Sequence, residues 1–220
     1  MENRKHTSLK DLAQALGVSI PTVSRALKDS PEISRELCAK AKALAKEMNY
    51  RPNPFAMSLR KNAPRIIGVI VPDIVTHFFA SILNGIENMA IANGYFVIIT
   101  TSHESYEHEK RNIENLVNMR VEGIIACLSQ ETTDFSHISA LKDINMPLIL
   151  FDRVCLTDQF SSVIADGAQS AQIATQHLLD NGSKRVAFIG GANHLDIVKR
   201  RKHGYLEALR ENRIPIEKDW

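Results

Sequence analysis

The chain has 220 residues, of which 44% are hydrophobic and 24% charged, a composition typical of globular proteins. Its charge is segregated: residues 1–61 hold 12 Lys+Arg against 6 Asp+Glu (+6), whereas residues 62–220 hold 15 against 19 (−4), for a formal net charge of +2. Because no apolar run approaches the roughly 20 residues of a membrane-spanning helix, and the polar start of the chain is unlike a secretory signal, we expect a cytoplasmic protein with no membrane partner.

The first two predicted elements are short helices within residues 7–27. Apolar residues recur at helical spacing in the first helix, at Leu9, Leu12, Ala13 and Leu16. Gly17 suits the left-handed backbone that ends a helix, Ser19 suits an N-cap, and Pro21 suits the first turn of the second helix. Such a pair predicts a helix-turn-helix, although an ordinary pair of surface helices remains the alternative.

A third helix and a proline-rich stretch follow. Ser34 suits the N-cap of a helix whose apolar stripe is Leu37, Ala41, Leu44, Ala45 and Met48. This helix completes a three-helix unit small enough to be a DNA-reading head. Prolines at positions 52 and 54 end it, and a short helix can begin again at Pro54.

In these motifs the chain resembles the lactose/galactose repressor (LacI/GalR) family of bacterial transcription regulators. The matching segments in the first part are Leu9-Lys-Asp-Leu-Ala13, Gly17-Val-Ser19, Thr22-Val-Ser-Arg25, Asn49-Tyr-Arg-Pro-Asn53, and Ala56 followed by Leu59. The resemblance continues through Ile67–Asp73, Phe78-Phe79, Val121–Ile125, Phe151-Asp-Arg153, Gly182–Gly191 and Arg201–Leu209. Agreement in this order over the whole chain is highly specific.

After residue 64, short β-branched runs alternate with amphipathic stretches. The predicted strands are Ile66–Val71, Phe96–Thr101, Gly123–Ala126, Leu148–Phe151, Ser162–Ala165 and Val186–Ile189. The predicted helices are Phe79–Asn93, Glu107–Met119, Asp134–Asp143, Ala168–Asn181 and Lys199–Asn212. This alternation predicts an α/β body with doubly wound parallel sheets.

The resemblance implies a periplasmic-binding-protein-like body of two subdomains with a ligand cleft between them. We therefore expect four regions: an all-α helix-turn-helix head (1–50), a hinge helix and linker (51–64), a first α/β subdomain (65–160) and the start of a second (161–220). Since family members continue for about another hundred residues, we expect the second subdomain to be incomplete and this chain to dimerise poorly.

Family resemblance also assigns the DNA contacts. They are Ser19, Ile20, Pro21, Thr22, Ser24 and Arg25 in the recognition helix, Asn53 in the hinge, and Leu59 as a wedge for the minor groove. An apolar wedge opens a base step and kinks the duplex, whereas the apolar Ile20 suits contact with a thymine methyl group. For Thr22 and Ser24 the alternative role is helix capping, and for Leu59 it is packing on the body.

The predicted effector site draws on both subdomains. Its residues are Phe78, Phe79, Asp152, Arg153, Asp166 and Arg201. Asp152 and Arg153 follow a strand at its carboxyl end, where open α/β sheets bind ligands. The resemblance places the aromatic pair and Arg201 on the cleft. The alternatives are a core role for Phe79 and a structural ion pair for Asp152 with Arg153.

Segments that resemble enzyme motifs do not have the residue spacing that those motifs require. His103 and His108 lie five residues apart, whereas a zinc-protease helix needs four, and Gly190-Gly191 is not a phosphate-binding loop. Three cysteines, far apart in sequence, favour reduced thiols over disulfides or a metal site. We expect no cofactor, no metal and no catalysis.

The function predicted from the sequence is that of a repressor of carbohydrate-utilisation genes, associated with the nucleoid. It would bind double-stranded operator DNA as a homodimer and respond to a small-molecule effector, with a sugar favoured over a purine. Two alternatives are a periplasmic sugar-binding protein, which the basic head argues against, and an architectural DNA-bending protein, which the α/β body argues against.

Overall fold

A computed structural model describes residues 7–50 and 65–216, and the chain divides into two compact units between residues 62 and 63. The described part of the first unit, the head, contains α1 (Leu9–Leu16), α2 (Ile20–Ala26) and α3 (Arg35–Glu47). These bounds confirm the three predicted helices.

Local sequence explains where the head helices begin and end. Ser8 and Asp11 form a capping box at the start of α1, and Gly17, with a φ of 65°, ends that helix in the left-handed conformation. Ser19 and Ser34 accept hydrogen bonds from backbone N–H groups at the starts of α2 and α3. The helices bury a small core that includes Leu12, Val23, Ala26 and Ala41.

The second unit, the α/β unit, alternates strands and helices. Its strands are β1 (Ile66–Val71), β2 (Phe96–Thr101), β3 (Gly123–Ala126), β4 (Leu148–Phe151) and β5 (Ser161–Val163). Its helices are α4 (His77–Ala92), α5 (Tyr106–Asn118), α6 (Ser136–Asp143), α7 (Gly167–Asp180) and α8 (Asp196–Glu211).

All five strands pair in parallel, in the order β2-β1-β3-β4-β5. Helices cover both faces, and the interior strand β1 supplies both cores: Ile66 and Ile70 join one apolar cluster, whereas Val69 and Val71 join the other. This alternation follows from the two-residue period of a strand. Because the strands are parallel, their carboxyl ends lie along one edge of the sheet, where α/β proteins bind ligands.

Two expected strands differ in the structure. The strand expected to open the second subdomain, at Ser162–Ala165, is instead the edge strand β5 of the first sheet, where Val163 pairs with Phe151. The stretch Val186–Ile189 is not a strand, because among the described residues no neighbouring strand pairs with it. Val186 packs against Tyr205 of α8, whereas Ile189 is 97% exposed.

No helix within residues 7–50 and 65–216 combines the length and apolar character that crossing a bilayer requires. The same described ranges hold no cluster of three or more His, Cys, Asp or Glu side chains that could bind a metal ion.

All three cysteines are unpaired and buried. Burial, the largest cause, raises the pKa of Cys127 and that of Cys155 to about 12. Since the thiolate is the reactive form, we expect neither thiol to react with a disulfide reagent at pH 7 in the native state. All three should react after unfolding in urea, which titration with Ellman's reagent measures. Rapid native labelling of Cys127 or Cys155 would contradict the buried positions.

Candidate functional site

The start of α2 presents a polar and partly apolar surface. The Ser19 hydroxyl accepts a hydrogen bond from the Thr22 N–H at 3.3 Å, and the two side-chain oxygens lie 2.8 Å apart. Ser19 therefore caps the helix, whereas Thr22 supplies the capped N–H and its side chain contacts the Ser19 hydroxyl. Ile20 is 41% exposed and Pro21 is also exposed, so these two residues form an accessible apolar spot at the helix start.

Farther along α2, Arg25 is exposed and its guanidinium lies 2.9 Å from the carboxylate of Glu32. An exposed ion pair of this kind contributes little to stability, so Arg25 can exchange Glu32 for another anion at small cost. Ser24 is half-buried. Asn53 and Leu59 lie outside the described residues, and their DNA roles stay predictions.

Phe78 and Phe79, the two aromatic residues of the predicted effector site, differ in their exposure to solvent. Phe79 is 6% exposed and packs edge-on against Phe151, in the core beneath α4. Phe78 is 50% exposed and meets Phe79 edge to face, with ring centroids 5.1 Å apart. The core alternative therefore describes Phe79, and Phe78 has the ring that a ligand could contact.

Asp152 follows β4 in the left-handed conformation, with a φ of 57°. It is half-buried, and Cys127 Sγ lies 4.0 Å from its Oδ2 atom. Burial raises the pKa of Asp152, and the positive charges of Arg153 and Arg201 oppose that rise. The structure thus brings Asp152 within electrostatic reach of Arg201, a residue from the other end of the predicted site.

Arg153 forms a two-point ion pair with Glu104, with nitrogen–oxygen distances of 2.5 and 2.9 Å. Glu104 also accepts a hydrogen bond from the Gln130 N–H at 2.7 Å. Although burial acts to raise the pKa of Glu104, the hydrogen bonds from Arg153 and Gln130 hold it below its usual value. The ion-pair alternative therefore describes Arg153, but its partner is Glu104 instead of Asp152.

The two remaining predicted residues lie on α7 and α8. Asp166 caps α7 by accepting a hydrogen bond from the Gln169 N–H at 2.9 Å. Arg201 is exposed on α8, and its stem passes close to Gly167, where an added Cβ would lie 3.3 Å from Arg201 Cγ. Arg201 therefore lies beside the start of α7, which Asp166 caps, and within electrostatic reach of Asp152.

A buried polar cluster, which was not predicted from the sequence, surrounds Glu109 of α5. The Glu109 carboxylate is fully buried and accepts hydrogen bonds from the Ser129 N–H at 2.5 Å and the Thr132 hydroxyl at 2.9 Å, and it meets His137 Nε2 at 2.8 Å. The cluster fixes the loop of residues 128–132 after β3. One sequence signal could have found it: Glu109 shares the apolar face of α5 with Ile113 and Leu116.

The loop after β3 also bounds a cavity of about 260 Å³. Phe135 and two further segments complete the walls: residues 153–157 after β4, and residues from 194 to 200 around the start of α8. Across it, His194 Nε2 donates a hydrogen bond of 2.7 Å to the Gln130 carbonyl oxygen. Of the predicted effector residues, the cavity is lined by Arg153.

Comparison with known families assigns both units. Residues 65–220 match the family described as periplasmic binding proteins and sugar binding domain of LacI family, and residues 8–53 match bacterial regulatory proteins, lacI family. The chain belongs to the LacI family. The family matched by residues 65–220 also includes periplasmic binding proteins. The match over residues 8–53 therefore distinguishes this LacI-family chain from periplasmic binding proteins.

Several relatives are similar over nearly the whole chain. Catabolite control protein A of Priestia megaterium is 32% identical over 216 residues, which are 96% of this chain and 63% of that protein. The ribose operon repressor of Bacillus subtilis (strain 168) is 31% identical over 210 residues, 96% of this chain and 62% of that protein. A crystal structure of the lac repressor dimer bound to operator and the anti-inducer ONPF gives a TM-score of 0.74 at 26% identity, covering 96% of this chain and 64% of that one. This LacI-family chain thus spans less than two thirds of these relatives.

Proposed function

We propose that this LacI-family chain acts in transcription repression, with α2 reading operator DNA from the major groove. The observation that carries the proposal is the lacI-family match over residues 8–53, on a head whose α2 exposes Ile20, Pro21 and Arg25. The +6 balance of residues 1–61 lowers the cost of approaching phosphates. Phosphate contacts would position the head, whereas the exposed start of α2 would read base edges.

The proposed assembly is a homodimer on a palindromic operator, in the cytoplasm and associated with the nucleoid. A two-fold symmetric dimer matches a two-fold symmetric site, because each head then meets an equivalent half-site. The lac repressor in the structural comparison is a dimer bound to operator, which supports this arrangement. In the hinge, Asn53 and Leu59 keep their proposed roles as a DNA contact and a minor-groove wedge.

A small molecule would control the operator affinity, with carbohydrate-utilisation genes as the regulated class. Support comes from the sugar-binding family of residues 65–220 and from relatives named as ribose operon repressors. Asp152, Arg153, Asp166 and Arg201 are the proposed effector contacts, with Phe78 as the accessible ring. A ligand shifts the equilibrium between two conformations of a protein only to the extent that it binds one of them more tightly than the other. No catalytic step is proposed.

The test is selection of duplexes from a random library, followed by fluorescence-anisotropy titration of the selected and a scrambled duplex. We expect Ile20→Ala to weaken binding to the selected duplex by about tenfold, in line with the ~1–3 kcal/mol that a mismatched base pair costs. Binding to the scrambled duplex should change little, because phosphate contacts supply nonspecific affinity.

A matched control is Ile144→Ala, which shortens a similarly exposed isoleucine (54%) in the α/β unit. It should leave both affinities unchanged. If selection enriches no sequence, the proposed function is wrong. If Ile20→Ala lowers both affinities equally, α2 does not read bases through this residue.

A further inference from the structure

We infer that the cavity beside the loop of residues 128–132 binds a monosaccharide-sized ligand bearing an anionic group, a phosphate ester or a carboxylate. The inference rests on the proposed effector control and names the chemistry of the ligand. The cavity lining shares one residue, Arg153, with the effector contacts predicted from sequence.

Size and lining restrict the ligand. Pockets for drug-sized molecules have volumes of roughly 300–1,000 Å³, so a cavity of about 260 Å³ suits a molecule of one sugar ring. The wall formed by the segments after β3 and β4 includes the apolar residues Leu128, Phe135 and Val154, which can pack against the C–H face of a ring, beside polar residues such as Ser129 and Thr132. The other wall, at the start of α8, is polar and charged.

The charges of the whole lining favour an anion. The lining contains Arg153, Lys199 and Arg200 against one carboxylate, Asp196. Two of the cations are already paired: Arg153 with Glu104, and Arg200, through its Nε–H, with Asp196 at 2.5 Å. Within the part of the chain that the structure describes, the Lys199 ammonium has no hydrogen-bond or ion-pair partner. Lys199 is exposed and lines the cavity, so a ligand there could pair with its ammonium without breaking an ion pair.

The arrangement also explains how such a ligand would regulate the protein. His194 lies just before α8 and Lys199 in its first turn, whereas the apolar residues of the lining follow strands of the first sheet. His194 already bridges the two by donating to the Gln130 carbonyl oxygen. An anionic sugar seated between Lys199 and these apolar residues would add a second bridge, and so favour the arrangement in which these segments are close.

Calorimetric titration of the 220-residue chain with matched pairs of probes tests the inference. The pairs are ribose 5-phosphate with ribose, and glucuronate with glucose. We expect at least one anionic probe to bind about tenfold or more tightly than its neutral twin, because hydrogen bonds to charged groups are the stronger ones. Which pair shows the difference tells whether phosphate or carboxylate is preferred. Equal affinities within both pairs, or no binding of either anion, would overturn the inference.

Lys199→Gln locates the binding, with Lys202→Gln as its control on an exposed part of the same helix outside the lining. Lys199→Gln should remove most of the preference for the anion, about tenfold, whereas Lys202→Gln should not. An equal effect of both changes, or none of either, would assign the binding to another basic surface such as the head, and would refute the cavity. Anion binding that depends on Lys199 would stand even if no duplex were enriched by selection, so failure of the proposed DNA function is recognised separately.

Discussion

Replacing Gly204 by alanine is expected to destabilise the α/β unit by about 1–3 kcal/mol or more, the range for over-packing a close contact. In α8, an added Cβ at Gly204 would lie 1.9 Å from the Ala168 carbonyl oxygen and 3.0 Å from the Gln172 N atom. Both atoms belong to the backbone of α7, which cannot move aside as a flexible side chain can. The two helices must therefore separate.

Gly85 in α4 supplies a matched control, because it also lies inside a helix but has no atom within 4 Å of an added Cβ. Gly85→Ala should stabilise the protein by ~0.5–1 kcal/mol, the cost that glycine imposes within a helix. Urea denaturation followed by circular dichroism measures both changes. The opposite signs are the diagnostic result: a stabilising Gly204→Ala would show that α7 and α8 do not approach as closely as described.

Much of the α/β unit follows from the sequence, because buried parallel strands are continuous β-branched runs between turns. The first four predicted strands match the structure at both ends for this reason. The fifth, Ser-Ser-Val, is short and exposed, so neither its bounds nor its sheet could be read from pattern. Val186–Ile189 has strand composition, but a strand also needs a partner, and local pattern does not reveal whether one is present.

The candidate site was less predictable, since its contacts join residues that are distant in sequence. The end of a strand suggested Asp152 and the family resemblance suggested Arg201, and the structure brings the two within electrostatic reach. The family resemblance did not indicate that Phe79 would face the core. Successive residues of a helix point in different directions, so one of two neighbours can face the core while the other faces the cleft. Nor did the resemblance indicate Glu104 as the partner of Arg153, which lies 49 residues away.

The buried Glu109 cluster shows the same limit most clearly. Its hydrogen-bond partners Ser129, Thr132 and His137 come from 20 to 28 residues later in the chain. A glutamate on an amphipathic helix is usually exposed, and only the tertiary fold provides the donors that make its burial tolerable. The cluster then fixes the loop of residues 128–132 that bounds the cavity.

Glu109→Leu is therefore expected to destabilise the α/β unit by about 3–5 kcal/mol, because it leaves more than one buried donor without its acceptor, at about 1–3 kcal/mol each. Leucine fills a similar volume but leaves the Ser129 N–H and the Thr132 hydroxyl buried without their acceptor. Glu109→Gln keeps one acceptor oxygen and should cost less, about 1–3 kcal/mol.

Glu107→Leu, on an exposed position of the same helix, controls for the loss of a glutamate from α5 and for helix propensity. Its effect should stay within about 0.5 kcal/mol, as surface substitutions usually do. Urea denaturation of the three variants, followed by circular dichroism, gives the free energies of unfolding. The decisive comparison is the order of destabilisation, in which Glu109→Leu should exceed Glu109→Gln, and Glu109→Gln should exceed Glu107→Leu. If Glu109→Leu cost no more than Glu107→Leu, the donors would have found water or other acceptors, and Glu109 would not be what holds the loop after β3 in place.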